Sequence, residues 1–140
     1  MKKLKLNYLA IVVTVVVSQI IPMIWYGIFA QEWMDMNGLD MAFIEENASS
    51  SPYIMAIVSS FVFATVLAWL FKRMNVESAI DGLKTAFLMG VSFSLFNLMT
   101  IYMFSFKPYG LAWIDGGENV LIWCVAGLIL GGWRKYEEAS

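Results

Sequence analysis

Residues 7–29 read NYLAIVVTVVVSQIIPMIWYGIF, an unbroken run without one charged side chain. A hydrocarbon core about 30 Å thick is crossed by about 20 mainly apolar residues in helical form, so this run alone can span a bilayer. Three further runs of the same kind follow it: 53–71 (YIMAIVSSFVFATVLAWLF), 84–106 (KTAFLMGVSFSLFNLMTIYMFSF) with Lys84 at its edge, and 111–133, ending ENVLIWCVAGLILGGW. Residues 1–140 therefore read as one all-α domain, a polytopic four-helix transmembrane bundle of two hairpins. A signal peptide competes for residues 1–29, because Lys2, Lys3 and Lys5 precede the apolar run. The run is too long for one, and Ile28 before Ala30 makes a poor cleavage site.

Composition agrees with lipid as the solvent. The chain is 60% hydrophobic and 14% charged, against about 45–50% and about 25% in ordinary soluble domains. Nine basic residues and a net charge of −2 form no basic groove, which excludes nucleic acid as a partner. A single cysteine, Cys124, and the absence of histidine remove a disulfide framework, a Cys-rich metal site and the commonest general base. No phosphate loop or GxSxG is present, and Cys124 sits in an apolar run where a thiolate is disfavoured. The expectation is a protein that is not an enzyme, with no cofactor and no metal. Met34, Met36 and Met41 invite a soft-metal site, but flexible apolar filler explains them better.

Orientation follows from the basic residues, which are retained on the cytoplasmic side near membrane ends. Eight of the nine fall before span one, between spans two and three, or after span four; only Lys107 lies on the other side. Both termini are therefore expected to be cytoplasmic, in a plasma membrane, with residues 31–52 and 107–117 outside. Ser51-Pro52 starts the second helix, Ser78 with Asp81 resembles a capping box for the third, and Pro108 stops it. Trp25, Tyr26, Trp33, Tyr102, Tyr109 and Trp113 belong to an outer aromatic belt, and Trp69, Trp133 and Tyr136 to an inner one. Asp40 before MAFIEEN offers a cap for a short helix on the outer surface. Spans one and three end in aromatic sets, and spans two and four in an aromatic followed by two basic residues, which makes a weak parallel repeat.

The interior polar groups carry what functional signal there is. Gln19 sits beside Pro22, whose ring removes a helix bond to the Ser18 carbonyl. In a regular helix Asn97 shares a face with Gly90 and Ser94, and Asn119 lies one turn from Asp115. Gln19, Asn97 and Asn119, with Thr14, Ser18, Thr100 and Tyr102, thus form a candidate polar strip inside the bundle. It reads as a solute or ion path, or as interhelical hydrogen-bond glue worth about 0.6 kcal/mol per contact, with glue the weightier of the two. Asp115 and Glu118, with Glu32 across the interface, are candidate outer-mouth carboxylates for a cation or proton. A solvated helix start, where acids suit the dipole, is the weightier of the two readings. Small residues repeat every four positions, including Gly90 in span three and a GxxxG at Gly127 and Gly131. They read as packing surfaces within the chain, with a contact between subunits as the alternative at the GxxxG.

The string MIWYGIFAQEWM (23–34) followed by NGLD (37–40), and Trp113-Ile114-Asp115-Gly116-Gly117 leading to Gly131-Gly132-Trp133-Arg134, resemble the domain-of-unknown-function family numbered 1761. The resemblance covers nearly the whole chain and implies a small four-span microbial membrane protein. It brings no activity and no catalytic residues. Since four helices barely enclose a path, the leading expectation is a homo-oligomeric transporter or channel for a small solute or ion. A non-transporting component that stabilises or regulates a partner is the alternative; a sealed interior with paired amides would favour it.

Overall fold

The computed structural model describes residues 1–139; Ser140, the last position of the expected domain, lies outside them. Strand β1 (Lys2–Lys5) leads into α1 (Tyr8–Ile28), and two short helices, α2 (Ala30–Asn37) and α3 (Met41–Glu46), connect it to α4 (Ser51–Arg73). Helix α5 (Ala79–Met89), a π-helical segment (Gly90–Leu95) and α6 (Phe96–Phe104) form one continuous rod. Helix α7 (Tyr109–Gly132) returns, and strand β2 (Lys135–Glu138) follows it. Among the described residues four helices are long and apolar enough to cross a membrane: Tyr8–Ile28, Ser51–Arg73, Ala79–Phe104 and Tyr109–Gly132. The chain is an all-α polytopic bundle.

Local chemistry sets most of the boundaries. The Asn7 side chain accepts from Ala10 N at 3.2 Å, Asp40 from Phe43 N at 2.8 Å, and Ser78 from Asp81 N at 3.1 Å, each satisfying an orphan donor of a first turn. Gly38, at φ 66°, ends α2 in the left-handed conformation that a residue without Cβ adopts freely. Helix α4 starts one residue earlier than the Ser51 cap expected from sequence: Ser50 is the cap, without a side-chain bond, and Pro52 lies in the first turn. Helix α1 continues through Pro22 to Ile28.

An even number of passes brings the termini to one end of the bundle, where β1 and β2 pair antiparallel, Lys2 opposite Glu138 and Lys3 opposite Glu137. No strand was expected from the sequence. The opposite charges in KKLK and KYEE were its only signal, because strands this short show no periodicity. Asn7 donates from Nδ2 to the Trp133 carbonyl at 3.1 Å and ties the clasp to both flanking helices.

The apolar core sits in this terminal half. Ala10, Ile11 and Val15 of α1 meet Ala64, Leu67, Ala68 and Phe71 of α4, and Ala126 and Leu130 of α7. Helix α5 crosses α7 backbone to backbone. A Cβ on Gly127 would lie 2.6 Å from the Ala86 Cβ, and one on Gly131 would lie 2.8 Å from the Gly82 Cα. The GxxxG is therefore a surface within the chain, and the contact between subunits considered for it is displaced by Gly82. At the opposite, loop end, residues 51–63 of α4 have no buried side chain, and the bundle opens there.

Candidate functional site

Six residues into α7 the helix carries Asp115, at a point where α1, α2 and α6 all reach it. Tyr26 Oη donates to Asp115 Oδ1 at 2.6 Å, Trp33 Nε1 donates to the same oxygen at 3.1 Å, and Tyr102 Oη donates to Oδ2 at 2.6 Å. Charge-assisted O–H···O bonds of this length belong to the strong class. Trp25 Nε1 donates to the Ile114 carbonyl at 2.9 Å, and Asn119 Nδ2 to the Asp115 carbonyl at 3.1 Å. Two glycines make the approach possible: a Cβ at Gly117 would stand 3.2 Å from the Trp25 ring, and the Leu95 side chain fills the space beside Gly116.

The knot borders an open cleft of about 640 Å³ lined by Tyr26, Trp33, Tyr53, Leu98, Tyr102 and Asp115, with Ile44 and Asn119 completing the wall. Tyr26 and Trp33 meet edge to face, with ring centroids 6.1 Å apart. The Lys107 ammonium lies 4.7 Å from the centroid of Tyr102, within the range of a cation–π contact. Four aromatic residues thus surround one carboxylate.

The expected polar strip comes together only in part: Asn119 and Tyr102 meet at Asp115 and line the cleft, and Gln19 and Asn97 lie elsewhere. Gln19 donates to Ser60 Oγ at 2.8 Å and to the Val15 carbonyl at 3.3 Å, which joins α1 to α4. Thr14 and Ser18 are buried and bond to carbonyls of their own helix, and Thr100 is exposed and does the same. Asn97 points out of the bundle and is exposed. The cause is the π segment. The inward residues run Gly82, Ala86, Gly90, Leu95, Leu98, Tyr102, with one step of five where a regular helix takes three or four. That extra residue turns the rod by about 100° per residue, so the face containing Asn97 in a regular helix becomes the outside. Gly90 keeps its inward place against Trp123, where a Cβ would stand 2.9 Å from that side chain.

The acids divide as well. Glu32 is exposed on α2 and lies outside the knot, its place taken by its neighbour Trp33. Asp115 is half-buried and Glu118 is buried at 6% exposure, so neither occupies a solvated helix start. Because α7 begins at Tyr109, Glu118 lies nine residues inside it, or about 13 Å along the axis. Among the described residues no group of three or more His, Cys, Asp or Glu could hold a metal ion.

Tyr26, Trp33 and Tyr53 escaped the sequence reading as site residues because aromatics near a span end read equally well as belt residues. One signal was available. The stretches Trp25-Tyr26-Gly27 with Trp33, and Ile114-Asp115-Gly116-Gly117, stand nearly ninety positions apart, and the structure bonds them directly to each other.

A family model described as "Protein of unknown function (DUF1761)" matches residues 9–131. No curated protein and no solved structure matches the chain.

Proposed function

The chain belongs to the DUF1761 family, and from that premise we propose that it is a membrane-embedded binding protein that takes a small organic cation, an alkylammonium group, into the cleft over Asp115. The observation that carries this reading is a carboxylate held by neutral donors alone, Tyr26, Trp33 and Tyr102, at the floor of an aromatic-walled cleft. Neutral donors orient the carboxylate and leave its charge uncancelled, so the cleft keeps a negative potential. Ring faces add to it, because a quadrupole presents its negative side to a cation, and they supply the apolar surface an alkyl group needs.

The charge asymmetry supports a loop end that faces outward, which gives the cation its route from the outer face. Binding is favoured over conduction by a single chain, because Ala10, Leu67, Phe71 and Leu130 fill the terminal half and Gln19 is already paired. Calorimetric titration of the protein in lipid nanodiscs with tetramethylammonium, against sodium at equal ionic strength, tests the reading. Saturable binding is expected, weakened at least tenfold by Asp115→Asn and severalfold by Tyr53→Ala, which removes a wall without touching the knot. Absence of saturable heat, or equal affinity in Asp115→Asn, overturns it. Uptake of the same ion into proteoliposomes above empty vesicles would make the protein a carrier and not a binding component.

A further inference from the structure

Asn97 is the amide that the bundle turns away. It lies seven residues before the loop end of the rod Ala79–Phe104, about 10 Å inside that end. It is exposed, and among the described residues no hydrogen-bond partner accompanies it. Acyl chains offer neither donor nor acceptor, so an amide facing them is met by a carbonyl of its own helix, as Asn119 is, or by another helix, and among the described residues Asn97 makes no bond of the first kind. On the opposite side of the same helix Leu98 and Tyr102 line the cleft, which leaves Asn97 no path inward.

Its neighbours form a seam. Phe93, Asn97, Thr100 and Phe104 are spaced by four, three and four residues, the 3.5-residue repeat of a helix that packs lengthwise against a partner. All four are exposed, Phe93 at 68% and Phe104 at 83%, and Phe96 and Ile101 flank them. The π segment that precedes Phe96 lies where the rod changes face: with a regular helix throughout, Asn97 would fall on the packed side.

We propose that this seam is the contact between two copies of the chain, with Asn97 paired to Asn97 across a twofold axis along the membrane normal. Every copy inserts with the same orientation, so the two rods run parallel and like residues meet at the axis. A carboxamide carries both a donor and an acceptor, so two of them satisfy each other with a pair of N–H···O bonds. A single asparagine at a core position also fixes register and pair number, since any slip or third helix leaves an amide unmet. The other small-residue route to a dimer is closed, because Gly127 and Gly131 are occupied by Gly82 of the same chain.

The full-length Cys124→Ala protein, reconstituted in vesicles at several lipid ratios, tests this. Dimer fraction is read by energy transfer between labelled copies, and proximity by oxidative crosslinking of single cysteines along the rod. Crosslinking is expected to peak at positions 93, 100 and 104, where the amide pair is left in place, and to be low at Leu98, which faces the cleft, and at Val16 and Val62 on the exposed faces of α1 and α4. Asn97→Leu is expected to weaken association about tenfold, equivalent to about 1.4 kcal/mol, and Asn97→Gln to retain most of it. Since position 97 faces lipid, Leu there leaves the fold intact; unchanged tetramethylammonium titration or an unchanged near-ultraviolet dichroism spectrum checks this. A monomer at every lipid ratio, equal crosslinking at Val62 and Thr100, or an undiminished dimer in Asn97→Leu overturns the proposal. The first of these assigns the seam to a different protein.

Discussion

The two halves of the bundle are held together by opposite means. In the terminal half, helices approach until backbones touch: Gly82 against Gly127 and Gly131, Ala10, Ala64 and Ala68 around Phe71, and a two-stranded clasp drawing β1 to β2. In the loop half, α4 has no buried side chain from Ser51 to Phe63, and side chains reach across gaps to meet at one carboxylate. Dispersion between close surfaces holds the first half, and directed hydrogen bonds hold the second. Close packing leaves no room for a ligand. A polar knot with an open side does, so the half that is less tightly packed is the one that can bind.

The sharpest way to break this contrast is to place the same side chain at a glycine in each half. Gly127→Leu forces α5 away from α7, because even a Cβ there would stand 2.6 Å from Ala86 and 2.8 Å from the Gly82 carbonyl carbon. Overpacking of backbone against backbone is expected to cost about 3 kcal/mol or more. Gly27→Leu meets open space, with no atom within 4 Å of the new Cβ, and is expected to change stability by less than about 0.5 kcal/mol. Reversible unfolding in mixed micelles checks both, and equal loss in the two variants would erase the distinction between the halves.

A second change reads the loop half alone. Tyr26→Phe removes one of the two tyrosine donors to Asp115 while keeping the ring in the cleft wall. A hydrogen bond to a charged group is worth about 1.5–3 kcal/mol, and the open side of the knot lets water replace part of it. A loss of about 1.5 kcal/mol is expected in the same unfolding measurement. No loss would mean that Asp115 is solvated by water in the folded protein and that the knot does not hold the helices.

The smallest expected effect belongs to Gln19, which lies between the halves. Its amide joins α1 to α4 through Ser60, so Gln19→Leu is expected to cost about 0.6 kcal/mol, the average for an interhelical bond in lipid. An effect above about 2 kcal/mol would show that Gln19 belongs with the Asp115 knot as a structural element.

Length, absence of charge and the basic-residue pattern were enough for the sequence to determine four apolar helices and an even number of passes. These follow from bilayer thickness, a property of the solvent and not of the fold. The helix starts at Asp40 and Ser78 were legible for a similar reason, since a cap satisfies orphan donors within three residues of itself. Tertiary structure alone decided which polar residues share a site. Regular helical spacing puts Asn97 inward, and one extra residue in the π segment, where Gly90 and Leu95 pack against Trp123 and Gly116, turns it outward. Sequence reads Asp115 as an outer-mouth carboxylate or, with more weight, a solvated helix start; the structure closes α1, α2 and α6 over it with Tyr26, Trp33 and Tyr102. Local periodicity fixes the angle between neighbours along one helix; the contacts across helices that set its phase are made by residues of other helices, Gly116 and Trp123 for the rod that carries Asn97 and Tyr26 for Asp115.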